Sequence, residues 1–222
     1  MQVIIVAGGA GSRMKSDIPK QFIELSGKPI LIHSIMAFAE FYEGSMPIVV
    51  LCPSQLEIWT HLCKLHNFKQ AHRIVAGGKT RFHSVKNGLE AITDCKAGLV
   101  AVHDAVRPLV SKQTIIKCIN DATKYGCAIP AIAVADTVRE VFDDNTSKML
   151  NRASLRLIQT PQIFDLQLLK NAYEQQYSAS FTDCASVFES AGNSIFLTEG
   201  NPENIKITTP YDLAIAEIVS RV

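Results

Sequence analysis

Apolar residues recur along the chain in short unbroken runs separated by segments of helical spacing. The first run, Val3-Ile4-Ile5-Val6, is β-branched throughout, the pattern of a strand buried on both faces. Ile48 to Cys52, Arg73 to Ala76, Leu99 to His103 and Ala128 to Val134 are also predicted to be strands. After Gly27-Lys28-Pro29, residues Ile30, Leu31, Ile35, Phe38 and Ala39 fall on one helical face, with Pro29 predicted at the first helical position. Ser54 and Glu57 predict a capping box for a second helix, and a third runs from about Arg81 to Ile92 with Ser84 in its first turn. Ser111 caps a fourth, which Gly126 ends after Tyr125. Alternation of this kind predicts an α/β fold with a doubly wound, mainly parallel sheet.

The pattern changes after Val134. Between Asp136 and Gln159, two short extended runs, Thr137 to Phe142 and Met149-Leu150, flank the turn-forming Asp143-Asp144-Asn145-Thr146, which predicts an inserted β-hairpin arm over about 136–159. A two-stranded hairpin is marginal by itself and needs the body of the protein or a second subunit. Helices are predicted near Leu166 to Tyr177 and Asp183 to Ala191, and strands at Ser194 to Leu197 and Asn204 to Ile207. A last helix is capped by Thr209 with Pro210 at its first position. No repeat or linker divides the chain, so residues 1–222 are expected to form one domain with the arm as an insertion.

At 222 residues with 47% apolar content the chain can bury a substantial core. Its 22 basic and 21 acidic residues are nearly balanced, so composition suggests no general attraction to nucleic acid or membrane. The strand-like start and the absence of a long apolar run lead us to expect a cytoplasmic protein with neither signal peptide nor membrane span. Six scattered cysteines, without a C-x-x-C pair, are expected to be reduced thiols.

Candidate chemistry centres on the loop after the first strand, Ala7-Gly8-Gly9-Ala10-Gly11-Ser12-Arg13-Met14, with Lys20 shortly beyond. Its glycines free backbone N–H groups to face a ligand, and the two cations suit a polyphosphate. The dinucleotide fingerprint fails because Met14 stands where its last glycine belongs. A Walker loop fails at Gly78-Lys79-Thr80, where Arg73 replaces the required first glycine. Asp104, at a strand's carboxyl end, is a hard oxygen ligand suited to Mg2+, and Arg107 lies three residues on.

The resemblance carried by these segments is specific. Together with Pro19-Lys20-Gln21-Phe22, Gly77-Gly78 with Arg81 and Ser84-Val85, His103-Asp104-Ala105-Val106-Arg107-Pro108, Asp136-Thr137, Thr160-Pro161-Gln162, Thr182-Asp183 with Ala185-Ser186, and Glu199-Gly200 with Asn204-Ile205-Lys206-Ile207-Thr208, the loop resembles the 2-C-methyl-D-erythritol 4-phosphate cytidylyltransferases along the whole chain. The chain departs from that pattern at Lys79, near which family members frequently carry an acidic residue.

The resemblance implies a Rossmann-like nucleotidyltransferase fold and transfer of CMP from CTP to methylerythritol 4-phosphate, with release of pyrophosphate, in non-mevalonate isoprenoid biosynthesis. It implies that Ala7, Gly8, Gly9, Gly11, Arg13, Lys20, Gly78, Ser84, Asp104 and Ala105 bind CTP. Arg107, Thr137, Arg152, Thr160 and Lys206 would hold the acceptor, and Arg13, Lys20, Lys206, Arg152 and Thr137 would be catalytic. It further implies a divalent cation such as Mg2+ at Asp104 and a homodimer in which the arm brings Thr137 and Arg152 to the partner's site. A ribitol 5-phosphate cytidylyltransferase is the nearest alternative, and a catalytically silent CTP-binding regulator is an alternative of a different class.

Overall fold

The computed structural model describes residues 1–8, 18–42, 46–93 and 98–221. Along the chain come β1 (Gln2–Val6), β2 (Glu24–Leu25), β3 (Lys28–Pro29), α1 (Ile30–Met36), β4 (Ile48–Leu51), α2 (Leu56–Leu65), β5 (Arg73–Ala76), α3 (Arg81–Glu90), β6 (Leu99–Asp104) and α4 (Lys112–Tyr125). They are followed by β7 (Cys127–Ala133), β8 (Arg139–Val141), β9 (Ser147–Met149), β10 (Arg156–Ile158), β11 (Gln162–Asp165), α5 (Leu166–Ala172), α6 (Cys184–Ser190), β12 (Leu197–Glu199) and α7 (Pro210–Val219).

Strands β5, β4, β1 and β6 lie side by side in parallel. Between β6 and β7 the sheet admits β11, which is antiparallel to both. β10 lies in series with β11 along β7, the two joined through a cis Thr160-Pro161 bond. Ala131 pairs with Ile158 and also with Glu199, so β10 and β12 flank β7 on opposite sides.

The β-branched run of β1 is buried on both faces because helices cover both. Val3 and Ile5 pack with Leu31 and Ile35 of α1 and Ile115 of α4. Ile4 joins Val85 and Leu89 of α3 and Leu169 of α5 on the other face. Each such side chain contributes on the order of 1.5–3 kcal/mol when fully buried. In α3, a Cβ on Gly88 would meet Ile4 Cγ2 at 2.9 Å, so only glycine lets the helix lie this close to β1. That contact sets where the first turn of α3 stands. A smaller cluster of Leu25, Ile30, Val106, Ile207 and Ala216 ties the C-terminal segment to the chain leaving β6.

Several predicted boundaries move. Pro53 to Gln55 form a 3-10 turn, so α2 begins at Leu56 without a side-chain cap, and Ser54 Oγ lies 3.2 Å from Cys52 Sγ instead of closing a capping box. Pro29 precedes α1 as the last residue of β3. α5 stops at Ala172, short of the predicted Tyr177, and β12 starts at Leu197, where the run from Ser194 was expected to end. Residues 204–207 form no strand: the N–H of Ile207 binds Val106 O at 2.9 Å and that of Ile205 binds Glu203 O at 2.7 Å, contacts that follow no ladder. The detached hairpin is shorter than 136–159, since Arg156 to Ile158 rejoin the main sheet as β10.

Candidate active site

β1 and β6 are neighbours with Val6 level with Asp104. Beyond their carboxyl ends lies a cavity of about 310 Å3. Because β4 adjoins β1 on one side and β6 on the other, the cavity sits where the winding of the sheet reverses, the place open α/β sheets use for ligands. Ala7 and Gly8 form one wall, Gly78 to Arg81 with Ser84 another, and Asp104 and Ala105 the floor, while Lys20 and Lys206 line the remainder. Gly9, Gly11 and Arg13 lie outside the described residues.

The wall at α3 is built from its cap. Thr80 caps the helix and its hydroxyl lies 2.8 Å from His83 Nδ1. Ser84 Oγ accepts the N–H of Gly78 at 3.1 Å and donates to Thr80 O at 3.0 Å, holding the glycine loop against the first turn. A Cβ on Gly78 would stand 2.4 Å from His83 Cβ, which no side chain survives without displacing the helix start. On the facing side, buried Gln21 donates to Ala7 O and to Gln55 Oε1, each at 2.9 Å, and so fixes the segment carrying Lys20 to the end of β1.

Asp104 is the electrostatic centre. Its Oδ2 lies 2.8 Å from Lys206 Nζ and 3.8 Å from Arg107 Nε, and its Oδ1 accepts from Nε and Nη2 of Arg81, both at 3.3 Å. Burial would push its carboxyl up, but Arg81, then Lys206 and Arg107, hold it well below the usual carboxylate range. Among the described residues the cavity wall thus carries four cations, Lys20, Lys79, Arg81 and Lys206, against one carboxylate. Such an excess favours a polyanion.

Of the residues expected to hold the acceptor, the structure brings only Lys206 to the cavity wall. Arg107 lies behind Asp104 with Nη1 donating to Asn204 O at 2.7 Å and Nη2 to Ile158 O at 3.4 Å. Thr160 is buried; its hydroxyl oxygen accepts the backbone N–H of Asp104 at 3.0 Å and lies 3.1 Å from His103 Nδ1. Because His103 Nε2 lies 3.0 Å from Arg107 O, which can only accept, Nε2 carries the proton and the Thr160 hydroxyl donates to Nδ1. Arg107 and Thr160 therefore brace Asp104 and the 204–206 segment. Thr137 and Arg152 are exposed on the arm, where Arg152 donates to Ala135 O.

The family model for 2-C-methyl-D-erythritol 4-phosphate cytidylyltransferase matches residues 1–221. The chain belongs to that family. A cytidylyltransferase of this name from Phocaeicola vulgatus is 50% identical over 218 residues, covering 98% of each chain. One from Halalkalibacterium halodurans is 37% identical over 98% of this chain and 95% of its own. Among solved structures, the 4-diphosphocytidyl-2C-methyl-D-erythritol synthase of Anaerococcus prevotii superposes with a TM-score of 0.83 at 30% identity, covering 100% of this chain and 96% of its own. The cytidylyltransferase of Francisella tularensis gives 0.80 at 35% identity over 98% of both chains.

As a cytidylyltransferase, and so a nucleotidyltransferase enzyme, the chain must neutralise phosphate charge. Among the described residues no three His, Cys, Asp or Glu side chains gather to hold an ion. Asp104 is the single carboxylate among the described residues of the cavity wall and is already shared by three cations. One carboxylate would hold an Mg2+ ion only where phosphate and water completed its ligands. No described helix is long and apolar enough to cross a membrane.

Arg81 lines the cavity without being among the site residues expected from the sequence. Its signal was there: in a helix starting at Arg81, Ser84 lies three residues on and shares its face. Gln21 and Thr80 were also passed over, since a buried glutamine or a capping threonine is legible only from its partners.

Proposed function

We propose that the chain transfers the cytidylyl group of CTP to the phosphate of 2-C-methyl-D-erythritol 4-phosphate, releasing pyrophosphate and forming the diphosphocytidyl alcohol used for isoprenoids. The observation that carries this reading is the cavity at the ends of β1 and β6, whose described lining sets Lys20, Lys79, Arg81 and Lys206 against Asp104, in a chain that matches the family over residues 1–221. An acceptor phosphate oxygen attacks the α-phosphorus, and the bond to the pyrophosphate oxygen breaks. Lys20 and Lys206, with Arg13, stabilise the charge that builds on the α-phosphate and leaving group, and this stabilisation exceeds what they give the bound substrates. Mg2+, when bound, supplies further charge neutralisation at the phosphates, with Asp104 as its protein ligand.

The acceptor half is furnished by a second copy. Thr137 and Arg152 flank the β8–β9 hairpin, which pairs with no other strand among the described residues, and Val141, Phe142 and Met149 expose apolar surface there. A homodimer that buries this surface and delivers both residues to the partner's cavity accounts for both facts. The setting is cytoplasmic, where CTP is at hand.

Pyrophosphate release from CTP with Mg2+, measured with methylerythritol 4-phosphate and separately with ribitol 5-phosphate, tests the reading. Preference for methylerythritol phosphate is expected. Preference for ribitol phosphate overturns the acceptor, and silence with both while CTP still binds favours a regulator.

A further inference from the structure

The guanidinium of Arg81 is held between two fixed points. Nε and Nη2 both donate to Asp104 Oδ1 at 3.3 Å, while Nη1 donates to Cys184 Sγ at 3.3 Å. The same sulfur accepts the hydroxyl of Tyr173 at 3.2 Å. Cys184 is itself anchored: Gln162 Oε1 accepts the N–H groups of Cys184 and Ala185 at 3.0 and 3.1 Å, and Gln162 Nε2 donates to the Asp183 carboxylate at 2.7 Å. Cys184 and Tyr173 are fully buried, so this seat admits almost no solvent.

From this geometry we infer that Arg81 is a positioning residue for the reaction, orienting the Asp104 carboxylate from a seat made by Cys184 and Tyr173. Two donors on Oδ1 oppose rotation of the carboxylate about its Cβ–Cγ bond. With Oδ1 on Arg81, only Oδ2 faces Lys206, at 2.8 Å, and the ammonium makes one exchangeable contact that phosphate can replace. Without Arg81, Oδ1 loses its anchor and the carboxylate can swing both oxygens toward Lys206, drawing it from the reacting phosphates. The charged groups facing Asp104 are Arg81 from α3, Arg107 just beyond β6 and Lys206 from the C-terminal segment. His103 next to it has both ring nitrogens engaged, Nδ1 by the Thr160 hydroxyl and Nε2 by Arg107 O. Burial raises the Cys184 thiol, and the Tyr173 phenol is raised well above its usual value, so the seat accepts a hydrogen bond without neutralising Arg81. A lysine at position 81 would keep the charge and lose the planar fork that reaches both partners.

The inference rests on cytidylyl transfer as the activity, and its test separates the two. Arg81→Lys, Asp104→Asn and their double variant are compared by pyrophosphate release, by calorimetric CTP binding and by urea unfolding, with Cys184→Ala as a milder probe. Arg81→Lys should lower kcat by about 10- to 100-fold, with CTP affinity changed by less than about threefold. The double variant should be no slower than the worse single, because both act through one carboxylate. Cys184→Ala should lower kcat several-fold alone and not at all in the Arg81→Lys background. Multiplicative losses, or wild-type kcat in Arg81→Lys, overturn the inference. The same cycle read in unfolding free energy needs no turnover, and additivity there overturns it too. A wild type that is silent with both acceptors counts against the transfer reading alone.

Discussion

Lys206 and Asp104 are paired on the cavity wall at 2.8 Å, and the lysine reaches that position because Asn204, two residues earlier, is buried and donates to Thr160 O at 2.8 Å. The pair is a ground-state arrangement that a triphosphate must compete with. Lys206→Ala should therefore lower kcat by roughly two to three orders of magnitude while CTP affinity changes far less. Steady-state kinetics beside calorimetry checks this, and a collapse of affinity at normal kcat would make Lys206 a ground-state binder. With the lysine half exposed, the loss of stability should stay under about 1 kcal/mol.

Lys20→Ala should show the same split, a fall in kcat of about a hundredfold or more at saturating CTP. Gln21 holds the neighbouring backbone to Ala7 O. Gln21→Leu should thus reproduce part of the Lys20 loss without removing any charge, which a side-by-side kinetic comparison would detect.

Gly78→Ala places a Cβ 2.4 Å from His83 Cβ and 3.0 Å from its carbonyl carbon. The start of α3 must move, and with it Ser84 and Arg81. CTP binding should weaken by about tenfold or more, whereas Gly192→Ala, whose Cβ meets nothing within 4 Å, should leave it unchanged in the same titration.

Acid stability depends on His103. Its pKa falls from 6.5 to about 4 because the ring is buried. The unfolded chain takes up this proton as pH drops through about 6.5, and the folded chain does so only near 4. The unfolded state therefore binds more protons across that window and folding stability declines as pH falls through it, by about 3 kcal/mol in all. His103→Gln should flatten this part of the profile in urea unfolding between pH 7 and 4.5. An unchanged slope would show that other groups carry it.

Lys20→Ala and Arg152→Ala proteins, each nearly inactive, should complement on mixing if the arm crosses between subunits. Half of randomly paired dimers are mixed and half of their sites are whole, so roughly a quarter of wild-type activity should return. Confirmed subunit exchange with no recovery would place Arg152 in the site of its own chain.

Much of this was legible in the residues. The apolar run ending at Asp104 gave β6 with its functional end, and Ser111 with Gly126, or Thr209 with Pro210, marked helix ends by capping chemistry that works locally. What escaped is settled at long range. Gln162 to Asp165 are too short to announce a strand, and their place between β6 and β7 depends on partners some 35 to 65 residues away. Asn204 to Ile207 alternate like a strand, but Asn204 spends its amide on Thr160 O and Val106 takes up Ile207. Spacing alone could not aim Arg107, whose donors reach carbonyls near the site and leave Lys206 at the cavity wall.

The late, antiparallel entry of β11 between β6 and β7 also sets an order on assembly. A chain emerging from the ribosome presents β6 and β7 well before the strand that bridges them, leaving two apolar edges unpaired until residue 165 has appeared. Asp104 waits longer still, since the segment bearing Lys206 is made after that strand. The nascent protein can thus close its first half around β1 and β4 while its catalytic charge remains unassembled, and truncations before residue 165 should be held by chaperones as sticky, incomplete sheets.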